Sequence, residues 1–146
     1  MKKVNLAAVF FAALIIFCGC KAKEQNNMEI KSDKTITFIN GATEADVWIM
    51  PETEENLKTS LWGTPLIPKI KTGENRQAPL CEPGDDSHYI VRLIDTDGFY
   101  YSAKGITLED GWALKITGEK TDSVVIEVTD EDVCLKGTYN VFCARL

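Results

Sequence analysis

The sequence predicts an all-β chain folded as a small antiparallel β-sandwich. Three observations predict it. Short stretches with alternating or β-branched apolar residues recur, as in TITFIN, DVWIM, HYIVRLIDT and SVVIEVT. Turn chemistry such as NGAT, DTDG and GEKTD separates them at intervals of roughly 8–12 residues. Helical signals are confined to one short segment. Many short strands with close turns bury their apolar faces best by pairing into two sheets. A transthyretin-like or immunoglobulin-like sandwich is the expected architecture, spanning residues 35–146.

The elements follow in order. Residues 21–34, KAKEQNNMEIKSDK, are polar and charged with no apolar period, so they read as a tether. Fully extended, that tether would reach roughly 45 Å. TITFIN opens the domain as a strand, and NGAT turns it. DVWIM is the next strand, with Val47 and Ile49 on one face and Trp48 and Met50 on the other; Pro51 stops it. PETEENLKTSLWG has Pro at a helix start and acids in the first turn, which suits a short helix. Residues 64–87 are rich in Pro and Gly and read as loop, with one short edge strand at Leu66–Ile70. HYIVRLIDT alternates Tyr89, Val91 and Leu93 against Ile90, Arg92 and Ile94. DTDG turns it and FYYSAKG returns. ALKIT and SVVIEVT are two further strands. VCLKGTYNVFCARL is expected to form a last hairpin, giving six to eight strands in all.

The front of the chain is different. Lys2 and Lys3 precede Val4–Phe17, an apolar run of 14 residues broken only by Asn5. A spanning helix needs roughly 20 residues, so this run reads as a secretory signal. Phe17-Cys18-Gly19-Cys20 then resembles the lipobox of bacterial lipoproteins: an aliphatic residue, a small residue, Gly or Ala, then Cys. Cys20 has Gly before it and fits the pattern; Cys18 does not. Phe17 stands where Leu is usual. The resemblance implies that residues 1–19 are a signal peptide and that Cys20 receives diacylglycerol and an N-acyl chain. Two or more acyl chains hold a protein stably on a bilayer, at about 0.8 kcal/mol per buried methylene. Lys21 follows the cysteine, so the resemblance implies the outer membrane. In lipobox style the chain is similar to the small surface lipoproteins of spirochaetes. The middle of the chain also resembles a loose class of small exported bacterial proteins through Asn40, Thr43, Trp62, Gly63, Leu66, Asp95, Asp97, Gly98 and Tyr100. That second likeness implies a β-sandwich and no activity.

Composition narrows the function classes. Removing residues 1–19 leaves 127 residues, enough for one core. The leader holds two lysines and no acid, so the formal charge moves from −6 to −8. Such a chain repels phosphate backbones, which argues against nucleic acid.

Three cysteines remain beyond Cys20: Cys81, Cys134 and Cys143. An exported compartment favours disulfides. A two-residue turn at Thr138-Tyr139 would set Cys134 opposite Cys143, where a bridge is geometrically possible. Closing that short loop would add roughly 2.5 kcal/mol. Pairing through Cys81, or no bridge, are the alternatives. No C-x-x-C occurs and His88 is the one histidine, so no metal site and no cofactor is expected. His88 beside Asp85, Asp86 and Ser87 reads as a surface histidine at a strand head rather than a catalytic base. DTDG lacks the third carboxylate and the glutamate of a calcium loop, and reads as a hairpin turn. Trp48 and Trp112 lie in or beside strands and are expected in the core. Trp62 lies on a loop and is the candidate ligand-contacting aromatic.

The expected function is that of a lipid-anchored outer-membrane surface lipoprotein, not an enzyme. It would serve as an envelope component or surface antigen with an envelope or host protein partner. The alternative is a ligand-binding module for sugar or peptide, using the region 51–83 and Trp62.

Overall fold

In the computed structural model, residues 32–59, 62–119 and 122–146 are described. The expected signal peptide, Cys20 and most of the expected tether lie outside them. Among the described residues, ten strands, one short α-helix and a 3-10 turn at Asp85–Ser87 make up the domain: β1 (Thr35–Gly41), β2 (Ala45–Pro51), α1 (Glu54–Lys58), β3 (Ile67–Ile70), β4 (Asn75–Pro79), β5 (Tyr89–Asp95), β6 (Phe99–Ile106), β7 (Ala113–Glu119), β8 (Asp122–Thr129), β9 (Leu135–Asn140) and β10 (Phe142–Arg145). They form two five-stranded sheets, ordered β4-β1-β7-β8-β9 and β10-β6-β5-β2-β3. The all-β sandwich read from the sequence is therefore the fold.

Alternation explains the packing. In β1, Ile36 and Phe38 point inward; in β7, Leu114 and Ile116; in β8, Val124, Ile126 and Val128. From the other sheet Val47, Ile49, Val91, Leu93, Tyr101 and Ala103 meet them. Phe38 and Val47 are fully buried, and each such side chain stabilises the fold by roughly 1.5–3 kcal/mol. No helix among the described residues is long and apolar enough to cross a membrane.

The structure differs from the sequence reading in three places. First, β4 forms in a stretch that the sequence predicts as loop. Its residues NRQAP are polar, and only Ala78 is buried. It forms because β1 offers an unpaired edge, with Thr37 opposite Gln77. Second, β1 and β7 are parallel, with Phe38 beside Leu114. A parallel pair needs a long crossover, and here the excursion through β2, β3, β5 and β6 supplies it.

Third, the C-terminal hairpin is corrected. β9 pairs with β8, with Tyr139 opposite Ile126. β10 pairs with β6 in the other sheet, with Cys143 opposite Tyr101. Thr138 and Tyr139 both lie inside β9, paired with Glu127 and Ile126, so they are not a turn. The chain continues in one direction and passes from one sheet to the other at Val141, whose N–H donates to Val124 O at 3.2 Å. The expected Cys134–Cys143 disulfide falls with the hairpin: none of Cys81, Cys134 and Cys143 is bridged. Eight residues of extended chain lie between Cys134 and Cys143, a span on the order of 25–30 Å, whereas a disulfide needs Cα atoms within about 7 Å.

Two tyrosines in the core report on alkaline pH. Tyr89 donates to Cys81 O at 2.7 Å, and Tyr101 donates to Asp95 Oδ2 at 2.9 Å. Burial raises the pKa of both phenols above the usual value of 10.0; for Tyr101 the bond to Asp95 adds to it. The fold thus holds two protons that the unfolded chain releases above pH 10. Their contribution is intact below that pH and is lost as pH rises, by up to about 1.4 kcal/mol per pH unit for each phenol. Urea midpoints measured between pH 8 and pH 12 should therefore fall steeply above about 10. Tyr101→Phe should remove roughly half of the tyrosine-linked slope; an unchanged slope would contradict this.

Candidate functional site

The outer face of the second sheet gathers the polar and aromatic groups best placed to contact a ligand. Strand register creates the row Trp48–Arg92–Ser102–Phe142 across β2, β5, β6 and β10. The neighbouring row is Asp46–Ile94–Tyr100–Ala144. Arg92 stands there because β5 alternates: Val91 and Leu93 enter the core, so Ile90, Arg92 and Ile94 face outward. Ile90 is nonetheless only 1% exposed. The segment after β2 lies over this side of the sheet.

Hydrogen bonds hold that segment down. Thr53 caps α1, its hydroxyl accepting from Asn56 N at 3.1 Å, and Asn56 Nδ2 donates to Pro51 O at 2.9 Å. Trp48 Nε1 donates to Gly63 O at 3.1 Å. Arg92 Nη1 donates to Thr59 O at 2.5 Å. Lower down, Gly105 N donates to Glu52 Oε2 at 2.6 Å. A Cβ on Gly84 would come within 2.2 Å of Glu52 O, so only glycine lets the loop before β5 approach there.

Trp62 lies over this face. The Arg92 guanidinium carbon is 3.8 Å from the Trp62 ring centroid and 5.9 Å from that of Tyr100. Trp62 Nε1 donates to Asn56 O at 3.3 Å. Trp62 is half-buried, so one ring face is committed to the arginine. The stack is a cation–π contact worth about 0.5–2 kcal/mol. Arg92 Nε is buried with no hydrogen-bond partner. Among the described residues no carboxylate pairs with Arg92. Phe142, at the open end of the row, is 66% exposed.

Of the other residues that the sequence offers, all but Trp48 fall elsewhere. Trp48 is half-buried on this outer face rather than in the core. Trp112 packs at the core margin, 6.0 Å from Lys136 Nζ. Half-buried His88 uses its backbone carbonyl to accept from Glu52 N and Gly84 N. Its imidazole makes no hydrogen bond among the described residues. DTDG is the β5–β6 hairpin, with Gly98 at φ 80°. Among the described residues no group of three His, Cys, Asp or Glu side chains could hold a metal ion. Burial raises the thiol pKa of Cys81 and of Cys143, so both favour the protonated form, while Cys134 is exposed.

Arg92, Tyr100 and Phe142 were missed as candidates from the sequence. A signal for Arg92 was present, since a charged residue sits between two isoleucines on one strand face. Nothing local marked Phe142, whose position depends on β10 joining the second sheet. No known protein family, curated protein or solved structure matches the chain.

Proposed function

We propose that this protein is a lipid-anchored outer-membrane lipoprotein that displays one sandwich domain and acts by binding rather than by catalysis. The observation that carries the reading is Phe17-Cys18-Gly19-Cys20, placed directly after a short apolar run. Lipid on Cys20 would provide the membrane anchor. The polar residues after it would give the domain reach, and the excess of acidic side chains would keep it soluble beside the bilayer. An envelope component or a surface antigen fits that description.

Palmitate labelling of the wild type and of Cys20→Ser tests the anchor. Labelling should vanish in the variant, and the protein should then leave the membrane fraction without detergent. Persistent labelling of Cys20→Ser would overturn the assignment. Protease treatment of intact cells then reports which side of the membrane carries the domain.

The arrangement around Arg92 favours a second reading, a ligand-binding module. From the region 51–83 it uses Trp62. The remaining contacts belong to the sheet itself.

A further inference from the structure

We propose that the outer face of the second sheet binds an acidic saccharide, a sugar ring carrying a carboxylate, in the notch over Ser102 between Arg92 and Phe142. The proposal rests on the ligand-binding reading and names its ligand class.

Charge complementarity carries the argument. The chain has 22 acidic side chains, yet Arg92 pairs with none of the described ones. Asp46, in the next row, is engaged with Lys69, its Oδ1 accepting from Lys69 N at 2.8 Å. Of the Arg92 donors, Nη1 is engaged with Thr59 O and Nε is buried without a partner. Nη2 makes no hydrogen bond among the described residues. Trp62 covers one face of the guanidinium at 3.8 Å and shields it from water. A stacked, partly desolvated arginine with donors to spare recognises a carboxylate more strongly than a solvated lysine would.

Shape points to a sugar. Ser102 is the smallest side chain in its row, so the surface dips between Arg92 and Phe142. These two lie two strand spacings apart, about 9.5 Å, which admits one ring. The exposed Phe142 face can stack on the apolar C–H face of a sugar. Tyr100, 5.9 Å from the Arg92 guanidinium, closes one side. An extended peptide would instead add along a free edge, and β10 offers only four residues of edge. The net charge of −6 disfavours long polyanions.

The test titrates the detergent-solubilised full chain with trigalacturonate, neutral galactotriose and an acidic hexapeptide, read by tryptophan fluorescence and calorimetry. Trigalacturonate should bind about tenfold more tightly than galactotriose, since a charge-assisted bond is lost with the carboxylate. Arg92→Lys should weaken it about tenfold. Phe142→Ala, at a position two-thirds exposed and so tolerant of change, should weaken it several-fold while near-UV circular dichroism stays native. Equal binding of the two saccharides, an unaffected Phe142→Ala, or preference for the peptide overturns the acidic-saccharide assignment and leaves a ligand-binding module standing. Binding of none of the three overturns both. Palmitate labelling is independent of every one of these outcomes, so the anchor stands or falls separately.

Discussion

Asn40→Asp is expected to destabilise the domain by at least about 4 kcal/mol, lowering Tm by roughly 15–25 °C. Asn40 is 0% exposed. Its Nδ2 donates to Thr43 O at 3.0 Å and to Ile70 O at 2.9 Å, and its Oδ1 accepts from Ala42 N at 3.0 Å. Its backbone is engaged as well: the N–H donates to Glu74 O at 3.0 Å, and the carbonyl accepts from Gly73 N at 2.6 Å. One residue thus ties the β1–β2 connection to the β3–β4 connection, across both sheets. A carboxylate there would set an acceptor against two carbonyl oxygens in a water-free site, losing two bonds and adding a buried charge. Asn40→Ala should cost less, about 2–3 kcal/mol, because it removes bonds without adding repulsion. Urea denaturation of both variants checks the order. A loss below about 1 kcal/mol for Asn40→Asp would show that the amide does not hold these turns.

Asp95→Ala is the second large effect, expected at about 3 kcal/mol. Asp95 is 5% exposed. Its Oδ1 accepts from Asp97 N and Phe99 N, each at 2.9 Å, and its Oδ2 accepts from Tyr101 Oη at 2.9 Å. Bonds to a charged acceptor are worth about 1.5–3 kcal/mol each, reduced here by relief of a buried charge. The alanine variant also leaves the Tyr101 hydroxyl buried without its acceptor. Asp95→Asn keeps the shape and loses the charge, so it should fall between wild type and Asp95→Ala. Denaturant midpoints and the near-UV tyrosine signal measure both. If Asp95→Asn matched the wild type, the carboxylate charge would have no part in holding the hairpin.

Both residues belong to stretches with turn chemistry in the sequence, NGAT and DTDG, and both stretches reverse the chain between strands. What was hidden is that each turn is pinned by a buried polar side chain. Turn propensity is local: it depends on which residues tolerate the needed φ and ψ. Whether Asn40 is covered depends on Ile70, thirty residues away, and on the sheet that Ile70 belongs to. Trp62 shows the same division. Its loop position was legible, but its stacking on Arg92 required α1 and the following chain to fold back over β5.

The apolar strands and their inward faces, though not polar β4, were therefore settled by the amino-acid order alone, because side chains alternate with a period of two and apolar ones must leave water. The choice of neighbour was settled only in three dimensions. Every strand offers the same ladder of N–H and C=O groups, so β9 could in principle have paired with the chain after it. It pairs with β8 instead, and the chain crosses to β6 as β10, which lets Tyr139 and Cys143 pack against the core. That crossing separates the two C-terminal thiols and brings Phe142 into line with Arg92.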